Sequence, residues 1–505
     1  MTTLSDLVTQ GRPVEAHRPW PRAIVDAGVW SLAAEDLRDG RLCLLGLWGD
    51  RSAVHMALLD EAAGGIAVLS LDCPAQRFPS VSAVHPPASR LERTIRDLWG
   101  IEPEGAPDAR SWLDHGRWPL IHPLGSATPR SEEPRPYVFL PAEGESLHQI
   151  PVGPVHAGII EPGHFRVTAS GETVVRLEER LGYVHKGVEK LMEGAGLDHA
   201  AKLAGRTSGD STVAYALAFA RAAESALGAE VPPRAQWLRA VMAELERLAN
   251  HFGDIGAICN DAAFPLMLAH CGVLRERALR TADAAFGHRM MRDRVVPGGV
   301  AVDLADAGIG AIRLLIAEAR RRFPGLVQLY DNTASLQDRT VGAGTLQPAL
   351  ARQFGAGGYV GRASGRPFDA RRSPGYAPYD RLRLDVPVRR EGDVDARVRI
   401  RISEVEQSLD LIERLLERLP VGPISARLPG VGGEPAEGAA LIEGFRGDIL
   451  VWLRVGADGA IERCHLRDPS WFQWPLLESA IEGNIVADFP LCNKSFNCSY
   501  SGHDL

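Results

Sequence analysis

Residues 211–228, STVAYALAFARAAESALG, repeat apolar side chains at three- and four-residue intervals over more than three turns and stop at a glycine. That period belongs to a helix with one buried stripe. The same spacing returns in RAQWLRAVMAELERLANHFGDIGAI (234–258), in LMLAHCGVLRERALRTADAAFG (266–287) and in ISEVEQSLDLIERLLERLP (402–420), which Pro420 and Gly422 bring to an end. Together these stretches predict a helical bundle in the middle of the chain.

Outward from the bundle the pattern changes. LCLLGLW (42–48), VHMALLDE (54–61) and GIAVLSLD (65–72) are short apolar runs separated by Gly and charged turns, and the helix-like LERTIRDLWGI (91–101) follows. These predict a small sheet with a helix beside it. SATPRSEEPRPYVFLPAEGES (126–146) is rich in Pro and Glu, lacks periodicity and reads as a linker. GPVHAGIIEPGH (153–164) opens one predicted hairpin, and GDILVWLRVGADGAIERCHLRD (447–468) forms another around Asp458-Gly459. The predicted fold is therefore α+β: a small N-terminal α/β domain over 1–130, a linker over 131–150, and a mainly helical bundle domain with peripheral β-hairpins over 151–505.

Composition limits the function. A chain of 505 residues exceeds what one core usually serves, and 45% hydrophobic with 24% charged residues is ordinary for a globular protein. No apolar run is long enough to span a bilayer, and the first twenty residues lack the apolar segment of a secretory signal, so a cytoplasmic location is expected. The net charge of -8, with arginines scattered rather than clustered, argues against nucleic acid as a partner. Seven dispersed cysteines without a C-x-x-C argue against a disulfide framework or zinc knuckle and read as buried free thiols.

Three clusters could carry chemistry. His156, Glu161 and His164 share the predicted hairpin tip, where Gly153, Gly158 and Gly163 allow close approach; the alternative is a surface hairpin with incidental histidines. In YVHKGVEK (183–190), Glu189 stands at pairing distance from His185 or Lys186 on a helix, either as a solvated charged face or, if buried, as a proton relay. In AKLAGRTSGDSTVAY (201–215), Asp210, Ser211 and Thr212 are candidate N-caps for the following helix, and no phosphate-loop or dinucleotide spacing is present. At the tail, FPLCNKSFNCSYSGHDL (489–505), five residues separate Cys492 from Cys498, which matches neither zinc-ribbon nor cluster spacing.

Taken together, GPVH...EPGHFR, YVHKGVEKL, ERLANHFGDIGAIC, RVVPGG, VGRASG, GDVDARVRIRISEVEQSL, LPVGP and the final DFPL...YSGHD resemble, in order, the large subunit shared by membrane-bound group 4 [NiFe]-hydrogenases (formate hydrogenlyase and hydrogenase-4 type) and the 49 kDa subunit of respiratory complex I. FPSVSAVHPPASRLERTIRDLWGIEPEGAPDAR (78–110) resembles the complex I 30 kDa subunit through Glu92, Arg93, Asp97, Gly100, Gly105, Pro107, Asp108 and Arg110. The resemblance implies a peripheral oxidoreductase subunit on the inner face of the cytoplasmic membrane. It would dock on a small iron–sulfur subunit carrying a [4Fe–4S] cluster and work with antiporter-like ion-pumping membrane subunits.

The family's hydrogenases hold nickel and iron with two C-x-x-C pairs. Here the matching positions are Ala204 and Thr207 in the first motif and Ser499 and Gly502 in the second, so the resemblance implies a vestigial site without nickel. The complex I branch uses the vacated cavity for a quinone headgroup, held by a hairpin histidine and a tyrosine; the tyrosine position falls on Gly205 here. The expected catalytic set is His156, Glu161, His164, His185 and Glu189, and the expected acceptor-binding set is Gly205, Arg362, Asp369 and Asp504. No dinucleotide fingerprint accompanies them, so NADH or formate oxidation would belong to other subunits.

Overall fold

The computed structural model describes residues 3–131, 133–156 and 160–505. The N-terminal runs form a five-stranded sheet in the spatial order Arg12–Pro13, Arg22–Val25, Gly65–Asp72, Ala53–Asp60 and Cys43–Asp50. Within it, Arg22–Val25 and Gly65–Asp72 run parallel and the other neighbours antiparallel.

Both faces of this sheet are covered, which is why its strands read as continuous apolar runs and not as alternation. Leu44, Leu47, Val54, Met56, Leu58 and Leu69 belong to the main core, with residues of helices Ala27–Arg38 and Ser89–Trp99. Leu45, Trp48, Leu59 and Val68 point the other way and meet Leu441, Leu450 and Trp452 of a second sheet. That second sheet runs Ile461–Arg467, Asp448–Val455, Ala436–Glu443 and then His17–Arg18, so an N-terminal strand completes a C-terminal sheet by parallel pairing. A buried ion pair between Arg22 and Glu437 reinforces the junction. The two sequence-defined halves are thus stacked sheet on sheet.

The residues of the 30 kDa-like signature explain themselves structurally. Glu92 is fully buried and accepts from Val81 N (2.6 Å) and Ser80 Oγ (2.8 Å). Asp97 accepts from the main-chain N–H groups of Trp112, Leu113 and Asp114 at 2.6, 2.9 and 3.2 Å. Arg93 holds Arg110 O (2.7 Å) and Asp108 (3.0 Å). Helix Ser89–Trp99 therefore serves as a peg on which the 105–115 loop is hung, and Gly100 ends it in the left-handed region at φ 73°.

The bundle contains helices Thr212–Leu227, Pro233–Asp261, Pro265–Phe286, Asp306–Asn332 and Val394–Glu417. Pro233–Asp261 lies at its centre, packed against both Pro265–Phe286 and Val394–Glu417. The last helix begins two turns before the predicted 402, capped by Asp393 on Ala396 N at 2.7 Å. Its first turns looked polar in sequence, yet Arg397 and Arg401 are fully buried: Arg397 bonds Gly392 O, Gly344 O and Ser495 Oγ, and Arg401 pairs with Asp254 at 3.1 Å.

The first predicted hairpin exists with a long tip. Leu147–Val152 pairs antiparallel with His164–Ser170, which turns at Gly171 into Thr173–Arg180. His156 and Glu161 sit on the 153–163 connection, and Gly158 lies outside the described residues. The second hairpin pairs Asp448–Val455 with Ile461–Arg467 and turns at Gly459, as expected. No helix among the described residues is long and apolar enough to cross a membrane.

Candidate functional site

Where the tip of the first hairpin meets the C-terminal segment, a polar cavity of about 270 Å³ opens, lined by Glu161, Ser208, Asp210, Arg446, Asn497 and Ser499 among others. The segment before helix Thr212–Leu227 builds its floor. None of the three candidate N-caps caps that helix: the Glu246 carboxylate, from the neighbouring helix, accepts from Val213 N (2.7 Å) and Ala214 N (3.1 Å) instead. Asp210 is thereby free for another task. Both its oxygens hold Arg446, at 2.7 and 2.6 Å, and Arg446 also donates to Asn497 O.

The four positions expected to match the family's ligand cysteines are all buried, and Ser499 lines this cavity. Ser499 Oγ lies 2.9 Å from Ser208 Oγ and accepts from Gly502 N at 2.9 Å, capping the short Tyr500–Asp504 helix. Ser208 in turn donates to Asp210 at 2.9 Å. Thr207 Oγ1 is buried without a partner among the described residues, while Thr207 O accepts from Lys186 Nζ at 2.8 Å. Ala204 has no donor atom. At Gly502 a Cβ would stand 2.4 Å from Asp468 Oδ2, and that carboxylate is fixed by Tyr215 OH (2.6 Å) and Ser470 N (2.8 Å). Hydroxyls, an absent side chain and an occupied fourth position do not fit a metal pair that needs four thiolates. Cys498, next door, is buried, and burial raises its thiol far above the ordinary value.

The residues expected from sequence fall into separate places. Glu161 lines the cavity and accepts from Ser501 N at 3.0 Å. His156 rests 6.1 Å from the Phe165 ring, with Nε2 buried and without a partner among the described residues. His164 turns away, bonding Gly153 O through Nδ1 at 3.2 Å and lining a different crevice.

The YVHKGVEK group is not one helical cluster, because Gly187 is left-handed (φ 67°) and the helix starts only at Val188. His185 Nδ1 bonds Asp504 O at 2.6 Å. Glu189 pairs with neither His185 nor Lys186 but with Arg463 (2.8 Å) and His465 (2.8 Å). Burial alone would raise the Glu189 carboxyl; Arg463 and His465 outweigh it and hold it at about 2. Glu189 and Arg463 face a second, largely apolar cavity of about 340 Å³ between the two halves, walled by Leu91, Ile95, Leu98 and Trp99.

The expected acceptor-binding residues stand apart from the polar cavity. Gly205 contributes its carbonyl to Thr212 Oγ1 at 2.6 Å. Asp504 is a clip, accepting from Gly182 N (2.8 Å), Val184 N (3.0 Å) and His503 Nδ1 (2.8 Å). Arg362 and Asp369 belong to a buried charge network: Arg362 reaches Glu404 (2.7 Å) and Glu443 (2.8 Å), and Asp369 reaches Arg371 (2.7 Å). Burial would raise Glu404, but Arg362 and His251 keep it well below the usual carboxylate range. These charges are consumed by one another.

Arg446, Glu246 and Asp468 were not singled out by sequence, and Asp210 only as a candidate cap. For Arg446 a signal existed: Gly444-Phe445-Arg446-Gly447 forms the tight connection between strands Ala436–Glu443 and Asp448–Val455, and Gly447 takes φ 136°. An arginine on such a turn is aimed by backbone geometry.

Residues 31–134 match the respiratory-chain NADH dehydrogenase 30 kDa subunit family, and residues 262–436 match the 49 kDa subunit family. Formate hydrogenlyase subunit 5 of Escherichia coli K12 is 32% identical, over 86% of this chain and 78% of its own length. The carbon monoxide-induced hydrogenase of Rhodospirillum rubrum is 33% identical over 70% of this chain and 98% of its own. The matching NADH-quinone oxidoreductase polypeptide of Phocaeicola vulgatus is 29% identical over 75% and 78%. Among solved structures, a chain of the membrane-bound sulfane sulfur reductase, an archaeal respiratory membrane complex, superposes with a TM-score of 0.67 at 26% identity, covering 72% of this chain and 99% of that one.

Proposed function

Because the chain belongs to the family of respiratory-chain NADH dehydrogenase 49 kDa and 30 kDa subunits and their hydrogenase relatives, we propose that it is the peripheral oxidoreductase subunit of a complex I-like, hydrogenase-related membrane complex whose nickel–iron site has been lost. The donor set supports this most directly: Ala204 and Gly502 offer no ligand atom and Thr207 and Ser499 offer neutral hydroxyls. Nickel of this type needs soft thiolates. In this reading a small iron–sulfur partner delivers electrons from its [4Fe–4S] cluster, antiporter-like subunits anchor the assembly at the inner face of the cytoplasmic membrane, and no nucleic acid is involved.

The acceptor in this reading is a small carbonyl-bearing headgroup of the quinone class, taken into the polar cavity. Arg446 supplies a donor there beside the Ser208–Ser499 hydroxyl pair, and Glu161 lines the rim. Metal analysis of the purified complex, combined with titration by a short-chain quinone, tests both halves. Nickel far below stoichiometric and quinone-dependent turnover that falls in Arg446→Gln are expected. Stoichiometric nickel overturns the lost-site reading, and turnover indifferent to quinone overturns the acceptor.

One observation favours a second, non-catalytic reading. Asp210 with Arg446, and Ser208 with Ser499, already satisfy one another without a ligand. Turnover of the complex unchanged in His156→Ala, His164→Ala and Arg446→Gln would make the chain a scaffold.

A further inference from the structure

On the far side of the first hairpin lies a larger crevice, of about 1000 Å³, between the 110–139 segment and strands His164–Ser170 and Thr173–Arg180. It is lined by arginines. Two of them are neutralised within the protein: Arg110 by Asp108 and Glu178, and Arg130 by Asp114.

Arg180, Arg166 and Arg117 are not. Arg180 is 4% exposed, and its hydrogen bonds go to the main-chain carbonyls of Trp112 and Asp114. Arg166 bonds the neutral side chains of Gln149 (3.0 Å) and His164 (3.4 Å). Arg117 is exposed at the rim. Among the described residues no carboxylate forms an ion pair with any of the three. Two aromatic rings fix the geometry: Arg180 lies 4.4 Å from the Tyr137 centroid and Arg166 4.5 Å from that of Phe139.

A buried guanidinium without a counter-charge is costly, since main-chain dipoles replace only part of its hydration. Burial indeed lowers the Arg180 pKa, to about 10, so the group remains charged at neutral pH while its charge is poorly compensated. Three unneutralised forks converging on a concave space suit an oxyanion of two charges, which planar guanidinium binds through paired N–H donors.

We propose that this crevice binds a phosphate-bearing anion, with Arg180 as the buried anchor and Arg166 and Arg117 closing over it. The site is separate from the polar cavity and does not depend on the function assigned to that cavity. Its ligand is either a soluble phosphate compound or the headgroup of an anionic phospholipid; the chemistry is shared, and the source is what the experiment separates.

The test uses the purified full-length chain and an Arg117→Gln/Arg166→Gln double variant, whose changes are exposed or half-buried and break no ion pair among the described residues. Pyrophosphate binding by calorimetry forms one arm. Co-sedimentation with phosphatidylglycerol vesicles, against phosphatidylcholine vesicles, forms the other. Binding in either arm, weakened about tenfold or more in the double variant and by added salt, supports the site. Pyrophosphate alone identifies a soluble ligand; vesicles alone identify a lipid headgroup. An Arg180→Lys variant that folds as judged by circular dichroism should weaken binding as well, because a point charge replaces the fork. No binding in either arm, binding equal in wild type and double variant, or capture of an acidic peptide in place of both phosphate probes overturns it.

Discussion

Placing cysteine at the positions that match the family's ligand cysteines should not be equally tolerated, because the structure treats those positions differently. Gly502 has an ordinary backbone conformation, so Gly502→Cys brings no left-handed strain. What it brings is a Cβ 2.4 Å from Asp468 Oδ2 and 2.9 Å from Ser499 Oγ. Overpacking of a buried site costs about 1–3 kcal/mol. Moving Asp468 also loosens its bonds from Tyr215 OH (2.6 Å) and Ser470 N (2.8 Å), each worth about 1.5–3 kcal/mol as a hydrogen bond to a charged group. A helical residue in place of glycine returns about 1 kcal/mol. The net expectation is a loss of about 3 kcal/mol. Thr207→Cys removes a buried hydroxyl that has no partner, a gain of about 1 kcal/mol or more, and forfeits one methyl group of similar worth, so it should stay within about 1 kcal/mol of wild type. Urea unfolding of the purified chain compares the two directly. If Gly502→Cys is as stable as Thr207→Cys, the fourth position is open and the claim that Asp468 fills it is wrong. A double-mutant cycle with Asp468→Ala sharpens the test, since removing the obstructing carboxylate should recover about 1–2 kcal/mol of the Gly502→Cys loss.

Glu189→Gln removes the counter-charge of Arg463, and breaking a buried pair in this way costs about 3–5 kcal/mol, measurable by the same unfolding assay. Because the folded Glu189 carboxyl is held near 2, below its unfolded value, its contribution is present above the unfolded pKa and is lost as pH falls from about 4.5 toward 2. Acid unfolding of Glu189→Gln should therefore be shallower across that window than wild type; identical slopes would remove Glu189 as the titrating group. Glu246→Ala should destabilise helix Thr212–Leu227 by about 2 kcal/mol through two uncapped N–H groups, whereas Ser211→Ala and Thr212→Val, which do not cap it, should show no capping loss by hydrogen exchange at Val213 and Ala214. Thr207→Val, isosteric and without the orphaned hydroxyl, should raise stability by about 1 kcal/mol.

What could be read in advance divides along physical lines. Helices Thr212–Leu227, Pro233–Asp261 and Pro265–Phe286 announced themselves because burial along one stripe leaves a period in the sequence. Helix Val394–Glu417 hid its first turns because Arg397 and Arg401 read as solvent-facing, and only tertiary partners distant in sequence, Ser495 and Asp254, make their burial tolerable. The same blindness governed the site. His185, Lys186 and Glu189 looked like one charged turn, but Gly187 interrupts the helix and sends each to a different partner. Arg362 and Asp369 looked available as ligands until Glu404, Glu443 and Arg371 claimed them.

That Ala204, Thr207, Ser499 and Gly502 are not cysteines is a statement about donor atoms, and donor atoms are written in the sequence. The lack of room for a side chain at Gly502 is a statement about neighbours. Asp468 lies far along the chain from Ala204 and Thr207, and it approaches Gly502 because Tyr215, on the helix following the first motif, and Ser470 both hold it there. A carboxylate so fixed, with a serine pair and an Arg–Asp pair beside it, leaves a polar pocket at the place where the proposed reading puts a lost metal site. If the cavity takes a neutral carbonyl headgroup as proposed, its preference for that headgroup over an anion rests on Arg446: with its charge balanced by Asp210, Arg446 retains directional hydrogen bonding without a net attraction for anions. Asp210→Asn would unbalance it. The variant should bind small anions at the cavity and weaken any carbonyl ligand. If instead anion binding there is unchanged, Arg446 is not the group that sets the cavity's selectivity.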